Sequence, residues 1–403
     1  MNYTLSNTVK TMRLDAIESE MFYKNKLADT QVVKKYFPVG ADSETYSQRP
    51  KLVFPFSATI TERLLNILHF GMSVNIEDNE ELNSKIQDIL KQNDFTHLSR
   101  ESLKNVLIGG NLLTLITSDQ NGIKYINWTA PYLRYIGEEI YCYEYELKDN
   151  IMYPITALEG LREENIVSVV LTPYSVGDYN HALGFTPAVW FKNIDTYDDN
   201  YGQSYINRFK KLNIEYNQIA SQIAYSLKVL QNIWVTNAAF EQSLNPIELS
   251  VDKINFLGEG IELKQVTREL NLEEERQMLA ILKSAIYNSA QIPENLADLT
   301  NVSKLPSGIA LQILFQPLSE LAERIRSNFT NYVVNLIEKS IKILYFGKTI
   351  PKYTIKVNLN KTLIPEDRDQ KIKELVELAK EDFIDKESAK ELISTMLGIV
   401  KNV

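Results

Sequence analysis

Two stretches of this chain repeat apolar residues in steps of three and four, and they constrain its fold more than any other feature. Ile206, Phe209, Leu212, Tyr216, Ile219, Ile223, Leu227 and Leu230 form one stripe, which predicts a long amphipathic helix over 203–231. Leu311, Leu314, Leu318, Leu321, Ile325, Phe329, Val333, Leu336 and Ser340 form the other. That stripe predicts a very long helix, capped by Ser307 and continuing to Phe346, with Gly347 as its stop. Pro317 lies inside it and removes one backbone hydrogen bond, so a kink is expected there. Between the two stripes, residues 233–267 read as a short β-like island. Phe256 to Leu263 suggests two strands around a Gly258-Glu259-Gly260 turn, with Ile254, Phe256, Ile261 and Leu263 as its apolar positions. Helix resumes after Asn271, an N-cap followed by Glu273, Glu274 and Glu275, and stops before Pro293. The loop 294–306 then leads into the second stripe.

The N-terminal half has shorter periods. Ser57 is a candidate cap for a helix to about Phe70, and two more helical patterns cover 79–91 and 99–108. After Gly109-Gly110 the period falls to two through Phe191, with Asn121-Gly122 as a hairpin signal. The first 55 or so residues show little periodicity. Residues 353–359 alternate as a strand, and two small helices, 366–380 and 386–397, close the chain. The fold class expected is α+β.

Composition excludes several functions. The 403 residues carry 43 basic and 52 acidic side chains, a net charge of −9, whereas a free-standing sequence-specific DNA binder draws affinity from a basic surplus. One cysteine, Cys142, and three scattered histidines, His69, His97 and His181, leave no disulfide framework and no clustered metal ligands. Gly347-Lys348-Thr349 is the tail of a phosphate-binding loop, but Lys342 stands where the first glycine is required, and the strand and helix come in the wrong order. Gly202-Gln203-Ser204 lacks the second glycine of a nucleophile elbow. No enzyme, cofactor or metal is expected. No apolar run is long enough to span a bilayer, and no leader pattern opens the chain, which suggests a cytoplasmic-type protein with no membrane partner.

Several short motifs recur in a familiar order. They are Gly71-Met72-Ser73-Val74, Gly109-Gly110-Asn111, Trp128-Thr129-Ala130-Pro131 and Gly184-Phe185-Thr186-Pro187-Ala188-Val189-Trp190-Phe191-Lys192-Asn193. Tyr201-Gly202-Gln203-Ser204 follows, before a long helix with Asn217, and then Ser307-Gly308-Ile309-Ala310-Leu311 and Pro365-Glu366-Asp367. In this order, with helix, island, helix, loop and long helix between them, the chain over roughly 55–398 resembles the portal proteins of tailed bacteriophages, the head-to-tail connector family. It departs from them at Glu381 and Asp385, where the family usually has a Gly and a Ser, and it is short for the family.

The resemblance implies a portal-type fold: an α/β wing (1–201), a stem helix (202–232), a small β clip (233–270), a second stem helix (271–293), a tunnel loop (294–306), a long kinked helix (307–346) and a short helical crown (347–403). It implies a homo-oligomeric ring, usually of twelve subunits, at one capsid vertex of a virion assembled in the host cytoplasm. Double-stranded DNA would pass through without sequence preference, driven by a terminase motor. Major capsid or scaffolding protein and a head–tail adaptor would be further partners. By the same resemblance Asn301, Ser303 and Lys304 would face DNA from the tunnel loop, and Phe256, Gly258, Glu259, Gly260 and Ile261 would serve clip contacts and partner docking. The net acidity suits a conduit that must not grip phosphates. Two other readings stay open: a structural tail or neck ring or scaffold without DNA contact, and a carboxylate-based hydrolase.

Overall fold

In chain order, the helices are α1 (Asn7–Tyr23), α2 (Val33–Tyr36), α3 (Phe56–Leu68), α4 (Glu80–Gln92), α5 (Phe95–Gly109), α6 (Lys210–Leu230), α7 (Leu272–Ser289) and α8 (Gly308–Leu344). The strands are β1 (Ser73–Glu77), β2 (Asn111–Asp119), β3 (Gly122–Thr129), β4 (Leu133–Ile136), β5 (Glu139–Tyr145), β6 (Ile166–Leu171), β7 (Ser175–Val176), β8 (Tyr179–Asn180), β9 (Ala188–Lys192), β10 (Trp234–Thr236), β11 (Leu263–Gln265) and β12 (Thr354–Asn358). This computed structural model describes residues 7–29, 33–38, 49–69, 72–119, 122–129, 133–136, 139–145, 166–176, 179–230, 234–236, 263–265, 272–294 and 308–359. The mixture of helices and antiparallel strands is α+β, as the sequence predicts.

The chain divides into two compact units. Unit 1 holds residues 1–62, 101–117 and 125–290, and unit 2 holds 63–100, 118–124 and 291–403. Both draw on distant parts of the sequence. Strand β12, in the stretch expected to be crown, pairs with β1, in the stretch expected to be wing.

In unit 1, β2 is the central strand of the sheet β3-β2-β9. Residues 111–116 are buried without alternation, as a strand covered on both faces requires. Leu113, Leu115, Leu171 and Ala188 form a core cluster, with Trp128, Val176 and Trp190 packed against it. β3 lies beside β2, as the Asn121-Gly122 hairpin signal predicts, and Gly122 at the start of β3 takes φ of 117°. Strands β4 to β8 make a five-stranded antiparallel meander in sequence order, in which β4–β5 and β5–β6 are in register across Cys142. The short ladder β10–β11 joins Trp234–Thr236 to Leu263–Gln265. The expected strand–turn–strand from Phe256 through Gly258-Glu259-Gly260 to Ile261 lies outside the described residues.

Three local expectations are corrected in this unit. Residues 7–23 are helical, with Met12, Ala16, Ser19 and Phe22 buried at helical spacing; the small Ala and Ser dilute the apolar signal there. The stripe starting at Ile206 is not one helix from 203. Tyr205–Arg208 is a 3-10 turn, Phe209 leaves helical geometry at φ of −130°, and α6 starts only at Lys210. Three-residue and four-residue spacings look alike over a single turn, which is why the stripe conceals the break. Ser57 lies inside α3, not before it, and its hydroxyl accepts a hydrogen bond from Asn213 Nδ2 at 3.3 Å.

In unit 2, the stripe of α8 is realised from Leu318 onward, whereas Leu314, expected on the same stripe, is exposed in the turn before Pro317. Leu318, Leu321, Ile325, Phe329, Val333, Leu336 and Ser340 are all buried, and the Ser340 hydroxyl donates to the Leu336 carbonyl at 2.8 Å, so the polar member is satisfied within its own helix. The helix continues through Pro317, whose position is exposed. Gly347, at φ of 72°, forms the turn after α8, and the Lys348 N–H donates to the Tyr345 carbonyl at 2.9 Å. Thus Gly347-Lys348-Thr349 forms a helix-ending turn. Asn79 caps α4 by accepting from the Leu82 N–H at 2.9 Å, ahead of Glu80 and Glu81 in the first turn.

Candidate functional site

Three of the motifs that carry the family resemblance, at Gly110-Asn111, Asn193 and Gly202-Gln203-Ser204, meet in one place in unit 1. Gly110 ends α5 at φ of 83°, where an L side chain is strained. A Cβ there would stand 2.4 Å from the Gly202 carbonyl oxygen, and a Cβ on Gly202 would stand 2.4 Å from the Gly110 oxygen and 2.5 Å from the Asn193 nitrogen. Only two glycines let these backbones approach so closely. Asn111 locks the approach: its Oδ1 accepts from the Gly202 N–H at 2.8 Å and its Nδ2 donates to the Gly202 carbonyl at 2.9 Å.

Asn193 completes the junction. Its N–H donates to the Gly110 carbonyl at 2.8 Å and its side chain donates to the Gln203 carbonyl at 2.8 Å. The Ser204 hydroxyl accepts from the Ile206 N–H at 3.1 Å and starts the 3-10 turn, while Arg208 grips Asp195 with two bonds of 2.6 and 3.0 Å. Tyr205 lies inside, donating to the Ala290 carbonyl at 2.6 Å. Burial raises its hydroxyl pKa; Arg208 opposes that shift and Asp195 adds to it. The junction therefore fixes where α6 begins and ties it to the end of α7.

From there α6 presents a polar ladder in steps of four. Asn213 bonds Ser57, the Asn217 Oδ1 accepts from the Phe54 N–H at 3.0 Å, and the Ser221 hydroxyl accepts from the Leu52 N–H at 2.9 Å. Arg49 then lies over the Tyr225 ring at 4.5 Å. The partners Ser57, Phe54, Leu52 and Arg49 thus follow one another along α6 in the reverse of its chain direction. Phe54 and Phe56 pack edge-on to Tyr216 at 4.9 and 5.0 Å, and Phe56 also meets Tyr287 of α7 at 6.2 Å. Of this ladder only Asn217 is singled out by sequence. The signal for the rest was the four-residue spacing of Asn213, Asn217, Ser221 and Tyr225, hidden beside the apolar stripe.

At the other end of the 3-10 turn, Lys210 bridges Asp15 at 3.1 Å and Glu18 at 2.7 Å on α1. Asp15 also accepts from Asn207 at 2.9 Å and from the Tyr197 hydroxyl. Burial pushes the Glu18 carboxyl up, but the bonds and charge of Lys210, with Lys35 and the Tyr36 hydroxyl, bring it down to about 2. Burial and the neighbouring Glu18 raise the Tyr36 phenol.

The expected tunnel-loop residues Asn301, Ser303 and Lys304 and the expected clip residues Phe256, Gly258, Glu259, Gly260 and Ile261 all lie outside the described residues. The helices expected to flank them are described, and they carry exposed apolar side chains: Leu227 on α6, Met278 and Ile281 on α7, Ile313 and Leu314 on α8. Ile281 and Ile313 are the most open, at 63% and 66%. Among the described residues no group of His, Cys, Asp and Glu could hold a metal ion, and no helix is long and apolar enough to cross a membrane.

No protein-family model matches the sequence, and no curated protein matches it. Solved structures similar to this chain include three from gene transfer agent particles. A chain of the native virion has a TM-score of 0.47 at 12% identity, covering 95% of this chain and 98% of that one. A neck chain of the empty particle, computed with six-fold symmetry, has a TM-score of 0.44 at 13% identity over 88% of this chain and 93% of its own. A neck chain of the native particle, computed with twelve-fold symmetry, has a TM-score of 0.42 at 13% identity, covering 91% and 93%.

Proposed function

We propose that this chain is a portal-type subunit: a homo-oligomer of about twelve copies forms a ring at a capsid vertex of a virion, and double-stranded DNA enters and leaves through it. The observation that carries the reading is that each unit leaves large apolar side chains open on its long helices, Leu227, Met278 and Ile281 on α6 and α7 in unit 1 and Ile313 and Leu314 on α8 in unit 2. Single exposed hydrophobics are ordinary on a monomer, but a series of them on the elements that would line a ring is what copies of one chain would cover. The interlock of Gly110-Asn111 with Gly202 supports the reading, because residues quoted for the resemblance prove to be the ones that set the start of α6. Terminase and a head–tail adaptor would dock at the clip, and capsid or scaffolding protein elsewhere on the ring. No catalytic step is assigned to the chain.

Native mass spectrometry and negative-stain imaging of the purified full chain test this directly. Closed cyclic rings are expected, of twelve subunits or thirteen when made without a capsid. Only monomer or dimer across a range of salt would overturn the ring. Rings that assemble but whose Lys304→Glu variant packages and retains DNA normally would favour a structural neck or tail ring instead.

A further inference from the structure

The sheet β1–β12 in unit 2 has two edges of different character. Asn83 and Gln87, one turn apart on α4, close the β1 edge. The Ile76 N–H donates to Asn83 Oδ1 at 2.9 Å, and Gln87 Nε2 donates to the Val74 carbonyl at 2.6 Å. In an antiparallel ladder a residue directs its N–H and C=O to the same side, so Val74 and Ile76 point away from β12. The ladder bonds must then run through Ser73 with Asn358, Asn75 with Lys356 and Glu77 with Thr354. On β12 the N–H and C=O of Ile355 and Val357 therefore point to the opposite edge. Among the described residues no strand or side chain pairs with them there.

The side chains around this edge are also incompletely covered. Val74 and Ile76 of β1 are 6% and 5% exposed, whereas Ile355 and Val357 opposite them remain half-exposed. Phe346 and Ile350, on the approach to β12, are 54% and 40% exposed. Residues 339–356 contain five lysines and no carboxylate, in a chain of net charge −9. Lys348 and Lys352 are exposed and, among the described residues, belong to no ion pair; Lys356 is held by Glu77 at 2.9 Å.

We propose that the open edge of β12 is a docking site for an extended, acidic segment of a partner polypeptide, which adds a third strand to the sheet. A strand supplies backbone partners for Ile355 and Val357, alternate apolar side chains for Phe346 and Ile350, and alternate carboxylates for Lys348 and Lys352. A DNA duplex would engage the lysines and leave the backbone and apolar groups unmet. Lysines beside an edge strand discourage indiscriminate pairing, self-pairing included, so the same charges select for an acidic strand. A two-stranded sheet is marginal alone, and a third strand also stabilises it.

The test uses the full chain and three labelled probes, read by fluorescence anisotropy: an octapeptide alternating Glu and Val, the same peptide with Lys for Glu, and a short DNA duplex. The Glu–Val peptide is expected to bind, and the Lys–Val peptide is not. The double variant Lys348→Glu, Lys352→Glu should weaken Glu–Val binding by roughly tenfold or more. Val357→Pro removes an edge donor without removing a bond to β1, and should weaken binding to a similar extent at unchanged charge. Circular dichroism confirms folding of each variant, and the charge variant carries the test if the proline variant misfolds. Equal binding of both peptides, no peptide binding, self-association lost with Val357→Pro, or a preference for duplex lost with the lysines would each overturn the proposal. The peptide and duplex outcomes do not depend on whether the chain forms a ring.

Discussion

Gly202 and Glu18 each hold a junction of unit 1, by different physics. For Gly202 the issue is space: a methyl group would meet backbone atoms of Gly110 and Asn193 at 2.4 and 2.5 Å, and backbone cannot give way as a side-chain tip can. Gly202→Ala is therefore expected to destabilise the protein by about 2–4 kcal/mol, measured by urea unfolding. A loss within about 0.5 kcal/mol would mean the approach of the two glycines is not required. For Glu18 the issue is charge. Its pKa of about 2 in the folded chain lies below the ordinary 4.5, so its stabilisation is present above about pH 4.5 and is lost as pH falls towards 2. The shift corresponds to at most roughly 3–4 kcal/mol, reduced by solvent screening of the partly exposed pair. Glu18→Gln should be less stable than the parent near neutrality, and the gap should close with acid. A gap that is constant with pH would show that the carboxylate contributes by packing rather than by charge.

At the scale of elements, α6 matters through its polar side as much as its apolar one. Asn217 is buried at 1% exposure and gives the Phe54 N–H its acceptor. Asn217→Ala leaves that N–H unmet and should cost about 1–3 kcal/mol. Limited proteolysis should then cut within 49–57 faster than in the parent, and an unchanged cleavage rate would show that the ladder does not hold this segment. In α8, Pro317 occupies an exposed position inside a 37-residue helix. Replacing it by Ala restores a backbone donor and should raise the melting temperature, because proline inside a helix costs on the order of 3 kcal/mol. If the kink expected at Pro317 shapes the ring, the same variant should assemble fewer rings. Full ring yield from Pro317→Ala would remove that role.

For the whole molecule, the acidic balance and the expected loop 294–306 belong to one argument. A conduit needs contacts with DNA that are weak and replaceable, and that loop carries Lys304 as its only base. If the chain is the proposed conduit subunit, Lys304→Glu should leave rings intact and lower packaging yield or genome retention in particles assembled with it. Normal yield and retention would refute a DNA-facing Lys304. Phe256→Asp tests the clip in the same way: if Phe256 lies near subunit contacts, rings should be lost or packaging impaired, and intact rings that package normally would remove Phe256 from the interface.

By itself the sequence determined what depends on near neighbours in the chain. The stripe from Leu318 to Ser340 became the buried face of α8, β2 and β3 became neighbours as the Asn121-Gly122 signal predicts, and Gly347 ended the long helix. Each rests on helical periodicity or on a turn that glycine adopts without strain, and both are local properties. What lay beyond sequence depended on long-range partners. Nothing near Gly110 says that Gly202 will press against it, and nothing near Asn213 or Ser221 says that Ser57 and Leu52 will use them. The pairing of β1 with β12 joins residues some 280 positions apart. Such contacts are chosen by which buried polar groups can find partners once the apolar faces have come together, so only the tertiary structure decided them.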